Sequence, residues 1–327
     1  MRLRVWTIIK FIILLIGVGA VIFLAFKYVK KLDSLMDEDF LTGAEGSRRM
    51  PEVGSVPGRI VSLAPNITEI LYELGAADRV VGVSTNCNWP EDAKAKQTVG
   101  SFWQPDREAI LQCRPDMVFS LWFEQQKQVA DSLERLGYRV VTLRLDTVQE
   151  LYDAIGKIAE ATGSENEGKD LTIKIKDDFR RVSEKVAGVE TPRVLWVVQE
   201  EPLRVAGRDT FLNSLIEMAG GVNAVGETIQ QYPALSKEEL IRSGPQVIIE
   251  SSMTDVNMDA QRKAAEKRWQ EFGNFPAVRD GRIYVIGSDM VLRLGPRTGE
   301  GVEKLARLLH PEVFDEVEEE TLISAEK

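Results

Sequence analysis

The sequence predicts an α/β protein of two similar α/β lobes joined by one long rigid helix and preceded by an N-terminal transmembrane helix. Three observations carry this. Residues 106–120 (DREAILQCRPDMVFS) are echoed without a gap 130 positions later by residues 236–250 (SKEELIRSGPQVIIE), with Glu108 matching Glu238 and Pro115 matching Pro245. Short apolar runs alternate with helical patterns in both halves, as parallel βαβ units require. Between the halves, Leu171, Ile175, Asp178 or Phe179, Val182 and Val186 recur at spacings of three and four, which marks one amphipathic helix.

In the first half the pattern gives strands at 59–63, 80–83, 117–120 and 139–143, with helices at 66–74, 106–113, 125–136 and 148–162. The second half gives strands at 193–197, 246–250 and 282–286, with helices at 210–219, 236–243, 260–272 and 300–309. The echo extends to 71–82 with 215–226, and to Arg59-Ile60-Val61 with Arg193-Val194-Leu195. Matches in one order at long offsets, 130 to 144 residues, mean two related lobes, because solenoid repeats recur every 20 to 50 residues or so. The segment between them, about 23 residues long, spans about 35 Å as a helix, enough to cross from lobe to lobe in a single step. One stiff helix predicts limited hinge motion. The expected organisation is an anchor over 1–32, a tether over 33–57, a first lobe over 58–163, the interlobe helix over 164–190, a second lobe over 191–311 and an acidic tail over 312–327.

Residues 5–26 are almost all apolar, interrupted only by Thr7 and Lys10, and a helix of that length crosses a hydrocarbon core of about 30 Å. A cleaved signal peptide is the alternative, but its apolar region would be shorter, about 7 to 15 residues, and would end at small residues. Here residues 17–20 are followed by further apolar chain. The first cysteine is Cys87, so a lipid anchor on an early cysteine is excluded. The expected location is the cell or inner membrane, single-pass, with the folded part extracytoplasmic (periplasmic). Lys and Arg on the two sides of the segment balance, so charge alone does not orient it.

A net charge of -10 disfavours nucleic acid as a partner. With one histidine and two cysteines, neither a metal site nor a Ser-His or Cys-His couple has much to build on. No GxxxxGK[ST], GxSxG or HExxH occurs, and the expectation is a non-enzyme with no metal and no cofactor. Cys87 and Cys113 read as two unpaired thiols rather than a disulfide.

Ser236 followed by Glu239 fits a capping box and Pro105 suits a helix start, so Glu108 and Glu238 fall in the first turns of their helices. The helix dipole alone favours acids there. Their recurrence in both lobes favours docking onto a partner that presents two arginine clusters. Carboxylates on separate lobes do not suit acid–base work on one bond.

Parallel sheets place ligands at the C-terminal ends of their strands. That rule selects the loops with Asn66, with Asn86 through Trp89, with Phe102 and Trp103, and with residues 121–123 including Trp122. From the second lobe it selects residues 200–208 ending at Arg208, the turn with Tyr232, and residues 288–297. Three of the six tryptophans, Trp89, Trp103 and Trp122, fall in these loops, and aromatic surfaces with a few polar groups suit a sizeable, flat or partly apolar ligand. Arg208, Arg293 and Arg297 either clamp an acidic group of the ligand or pair with acids such as Asp209 and Asp289.

The stretches RIVSLAPNITEILYELG (59–75), VVGVSTNCNWP (80–90), EEPLRVAGRDTFLNSLIEMAGG (200–221), YPALSKEELIRSGPQVII (232–249) and FPAVRDGRIYVI (275–286) resemble the substrate-binding proteins of ABC importers for vitamin B12, iron siderophores and haem. The resemblance covers roughly residues 57–311 and is nearest to the cobalamin-binding members. It implies the helical-backbone periplasmic-binding-protein fold, with Glu108 and Glu238 on arginines of a permease. It also implies a cleft aromatic at Tyr232 and another at Phe102 or Trp103, while Asn86 replaces a family tyrosine. The implied function is an extracytoplasmic solute-binding component that captures a corrinoid, cobalamin, between the lobes and delivers it to an ABC permease and its ATPase, as a monomer. The alternatives are ferric siderophore or haem binding, a membrane-anchored sensor or scaffold, or an unrecognised enzyme.

Overall fold

The computed structural model describes residues 55–314 apart from 253–255, 288–290 and 292. The proposed anchor, most of the tether and acidic tail, and Asp289 therefore lie outside the described residues. Among the described residues no helix is long and apolar enough to cross a membrane.

The first lobe contains strands β1 (Ile60–Ser62), β2 (Val80–Val83), β3 (Gln97–Thr98), β4 (Met117–Leu121) and β5 (Arg139–Leu143), in the parallel order β3-β2-β1-β4-β5. Its helices are α1 (Pro65–Glu73), α2 (Arg107–Gln112), α3 (Glu124–Arg135) and α4 (Val148–Thr162). After α5 (Glu165–Lys185), the second lobe contains β6 (Arg193–Gln199), β7 (Arg204–Val205), β8 (Val222–Asn223), β9 (Val247–Ser252) and β10 (Ile283–Gly287). Its order is β10-β9-β6-β7, and β8 pairs in parallel with the start of β6 on the edge whose far end β7 takes antiparallel. The helices α6 (Phe211–Met218), α7 (Lys237–Ser243), α8 (Met258–Phe272), α9 (Pro276–Arg279) and α10 (Thr298–Leu309) complete it.

Alternation along the strands divides the core. Ile60 in the first lobe and Val194, Trp196 and Ile249 in the second join one apolar core that runs through both lobes. Their neighbours point the other way, Val61 into an outer core under α2 and α3, and Leu195 and Ile248 into an outer core under α7 and α8.

The echo in sequence is an echo in hydrogen bonds. Arg59 donates to the Cys113 and Arg114 carbonyls at the end of α2, while its N–H donates to Asp116 Oδ2 at 2.9 Å. Arg193 does the same at the end of α7, donating to the Gly244 carbonyl, with its N–H on Gln246 Oε1 at 2.8 Å. Arg114 at φ 46° and Gly244 at φ 51° form the same left-handed turn. One arginine per lobe thus closes a helix end onto a strand start.

Helix α5 buries Leu171, Ile175, Phe179 and Val182 in the shared core. Burial of each such side chain is worth about 1.5–3 kcal/mol. The helix packs on α4 of the first lobe and α10 of the second. A Cβ at Gly299 would lie 2.6 Å from Asp178 Cβ, so the start of α10 approaches α5 more closely than any side chain permits. Phe314 is buried beside α5, with Lys185 and Arg307 over its ring. Cys87 and Cys113 are buried and unpaired.

Candidate functional site

In a right-handed parallel sheet each crossover helix runs antiparallel to the strands, so loops that follow strands gather at one edge. The loop after β3 is tied to itself at that edge. The Asp106 N–H donates to Val99 O at 2.9 Å, Ser101 N–H to Gln104 O at 3.0 Å, and Phe102 N–H to Asn86 Oδ1 at 2.8 Å. Gly100 has φ 90°, and a Cβ there would lie 2.4 Å from the Asp106 nitrogen, so this turn admits only glycine. The loop displays Phe102 and Trp103, which pack with Phe123 at ring separations of 4.9 Å, 5.0 Å and 5.6 Å.

This aromatic group forms one side of a cavity of about 410 Å³. Six of the residues expected from sequence line it: Asn66, Asn86, Phe102, Trp103, Trp122 and Arg293. Trp103 and Trp122 are 57% and 50% exposed, large apolar surfaces facing open space. Lys127 and Arg144 lie over the Trp122 ring, each 5.1 Å from its centre. The cavity also takes in Arg144 and Asp146, just past β5, and Phe211 at the start of α6. No motif marks these residues, but the strand-end rule points to Arg144 and Asp146 directly after β5.

Other expected residues tie the lobes together. Arg297 makes a two-pronged pair with Glu69 at 2.9 Å and 2.7 Å, with the glutamate side chain only 5% exposed, and lies over the Trp89 ring at 5.0 Å. Asn66 Nδ2 donates to Leu294 O at 3.2 Å, and Arg293 Nη1 donates to Asn88 Oδ1 at 3.2 Å. Glu69 was invisible to sequence reasoning because an acid mid-helix reads as solvated. Arg208 is exposed, with Nε on the Val225 carbonyl at 3.4 Å, and does not line the described cavity. Tyr232 is half-buried and its carbonyl accepts from Arg204 at 3.0 Å.

The electrostatics of the cleft are mixed. Partial desolvation pushes the Asp146 carboxyl up from its ordinary value, the Glu150 carboxylate adds to this, and Arg144 opposes it. Burial pushes the Tyr232 hydroxyl up, and the Asp146 charge adds to it. Burial raises the Cys87 thiol against hydrogen bonds from Ser84 and Thr68. Among the described residues no group of three or more His, Cys, Asp or Glu side chains is placed to hold a metal ion.

Glu108 and Glu238 occupy matching places. Asp106 caps α2 by accepting from Ala109 N–H, and Ser236 with Glu239 forms a capping box at α7. Two residues after each acid, Ile110 and Leu240 are fully buried in their outer cores. A two-residue step turns about 200° around a helix, so burying those side chains sends each glutamate to solvent. Both are exposed, and Glu108 touches only its neighbour Arg107 among the ion pairs of the described residues.

Comparison with known proteins agrees with this architecture. An uncharacterized ABC transporter substrate-binding lipoprotein of Bacillus subtilis, YvrC, is 33% identical over 270 residues, covering 80% of this chain and 82% of its own length. A vitamin B12-binding protein of Vibrio cholerae is 25% identical over 251 residues, covering 77% and 88%. The crystal structure of a periplasmic heme binding protein from Pseudomonas aeruginosa superposes with a TM-score of 0.70 at 27% identity, over 79% of this chain and 94% of that one. Residues 60–290 match the family described as periplasmic binding protein. With that match and two lobes of this construction, the chain belongs to the periplasmic binding protein family.

Proposed function

We propose that the chain is the extracytoplasmic solute-binding component of an ABC importer, and that it captures a corrinoid, cobalamin, in the cleft and hands it to a permease and its ATPase. The observation that carries this is the aromatic-sided cavity at the strand ends of the first lobe, closed over by Phe211, Arg293 and Leu294 of the second. A cavity of about 410 Å³ falls within the usual range for small-molecule sites. A corrinoid is larger than the ligands that fill such sites, so the cavity encloses one edge of it and the exposed Trp103 and Trp122 rings meet the part that extends beyond. Capture is non-covalent: aromatic faces meet the macrocycle, and Asn66 and Asn86 offer amides to its side-chain amides. The ligand is cargo, and no resident cofactor is needed.

Ligand contacts on this reading are Asn66, Asn86, Phe102, Trp103, Trp122 and Arg293, with Trp89, Tyr232 and Arg297 around the rim and Arg208 outside the contact surface. Glu108 and Glu238 dock on the permease. Helix α5 is the stiff joint, and the Glu69–Arg297 pair holds the lobes close between ligands. A second reading, haem or a ferric siderophore, is favoured by Arg144 and Arg293 in the cavity, since paired guanidinium groups suit acidic ligands.

The segment at 5–26 is read as a retained membrane helix. The Bacillus relative is named a lipoprotein, but no cysteine precedes Cys87 here to carry a lipid. An intact mass of the membrane-extracted chain that includes these residues supports retention, and a mass lacking them rejects it.

The ligand is tested by titrating the full chain in lipid nanodiscs with cyanocobalamin, haem and ferric siderophores, with empty nanodiscs as blank. Saturable binding of cyanocobalamin is expected. Binding of only the other two would overturn the choice.

A further inference from the structure

The geometry points to Gln126 as the positioning residue that holds the aromatic side of the cleft in its binding-ready arrangement, an inference that rests on reading the cavity as the ligand site. Gln126 lies in the first turns of α3, is fully buried and does not line the cavity. Its Oε1 accepts from Leu121 N–H at 2.7 Å, and its Nε2 donates to Leu63 O at 2.9 Å and to Phe102 O at 3.0 Å. Only this orientation of the amide works, because the flipped group would set donors against an N–H and an acceptor against two carbonyls.

The three partners belong to three different loops. Leu63 leads from β1 to Asn66, Phe102 sits in the loop after β3, and Leu121 ends β4 just before Trp122. One buried amide therefore bonds the backbones that present the cleft aromatics, and both of its N–H groups are used. Deleting it would leave two carbonyls and an N–H without this partner in a buried place, where unmade hydrogen bonds are expensive. The loops would respond by shifting, and Trp103 and Trp122 would move with them.

The test substitutes Gln126→Met, which keeps length and removes every polar atom, and Gln126→Glu, which keeps the acceptor and loses both donors unless protonated. Acrylamide quenching of Trp103 in the ligand-free full chain is obtained as the difference from matched Trp103→Phe chains. Affinity for cyanocobalamin and for haem is measured in parallel. For a folded Gln126→Met chain, the expected results are higher Trp103 quenching than wild type and affinity about ten- to a hundredfold weaker.

In Gln126→Glu, burial against two carbonyls favours the neutral acid, whose O–H is a donor. Lowering the pH from 7 to 5 should then reduce Trp103 quenching toward the wild-type value at the same pH. Unchanged Trp103 quenching in a folded Gln126→Met chain overturns the proposal. Should that chain not fold, quenching in Gln126→Glu that matches wild type at both pH values overturns it instead. If the wild-type chain binds neither probe, the reading of the cavity falls, while the quenching comparison still decides the role of Gln126.

Discussion

The two lobes share a plan and differ in what they present. Both share a parallel run of four strands, β2-β1-β4-β5 in the first lobe and β8-β6-β9-β10 in the second, both close a helix end with an arginine at the start of the first strand, and both expose a glutamate, Glu108 or Glu238, in the first turn of an outer helix. At the cleft they part. The first lobe offers Phe102, Trp103, Trp122 and Phe123 on loops bound together by Asn86 and Gln126. Among the described residues the second lobe adds Phe211, Arg293 and Leu294 to the cavity, and Arg297 ties it to Glu69. On the proposed function, what repeats is scaffold and docking surface, and what does not repeat reads the ligand.

The widest separation of the two roles should come from charge reversal of the repeated pair. In Glu108→Lys/Glu238→Lys, the proposed docking would set like charges against permease arginines at both feet, each costing several kcal/mol. Ligand uptake by the cognate transporter should fall below detection while ligand affinity measured on the chain alone is unchanged. Uptake at the wild-type rate would remove docking from the account.

Next in size is the tie between the lobes. Arg297→Met removes the guanidinium from the buried Glu69 carboxylate, a change that destabilises by about 3–5 kcal/mol when a buried pair loses one member. Denaturant unfolding reads this directly. A loss under about 1 kcal/mol, as for an exposed pair, would show that the lobes are not latched there.

Within the cleft, Trp103→Ala should weaken ligand binding by about 2 kcal/mol or more, roughly thirtyfold, as expected for a central aromatic anchor. Arg208→Ala, exposed and away from the described cavity, should change it by less than about 0.5 kcal/mol. Reversal of that ranking would move the reading surface to the second lobe.

The smallest expected effect is a pH dependence at Asp146. Its carboxyl is easier to protonate in the folded chain than in the unfolded one, because desolvation and Glu150 oppose its charge. The protonated form therefore favours folding below the ordinary carboxylate range, and that contribution is lost as pH rises through the raised folded value. Asp146→Asn should raise the urea midpoint slightly at pH 7, with the gap closing well below about pH 4. A gap that widens on acidification would reverse the assignment.

Much of the scaffold was legible in sequence because period and burial coincide. The interlobe helix expected within 164–190 is observed at Glu165–Lys185, and the strand expected at 193–197 at Arg193–Gln199. Two-residue strands such as β3, β7 and β8 carry no period and exist only through pairing with a longer neighbour. The same distinction runs through the cleft. Trp103 and Trp122 could be chosen because strand ends, and aromatics in the loops that follow them, are visible in a sequence. Gln126 could not, because Gln125 and Gln128 beside it look alike and are exposed, and only the arrival of three loops gives one glutamine its role. Arg293 and Arg297 were visible as cleft arginines, but their partners Asn88 and Glu69 lie more than 200 positions away.

The difference between the lobes is tested most directly by amide hydrogen exchange on the full chain with and without saturating ligand. The account predicts that protection on binding is concentrated in the first lobe, at residues 100–104 and 121–124, and is weaker at residues 207–211 and 229–232. Equal or greater protection in those second-lobe segments would contradict the claim that the first lobe reads the ligand.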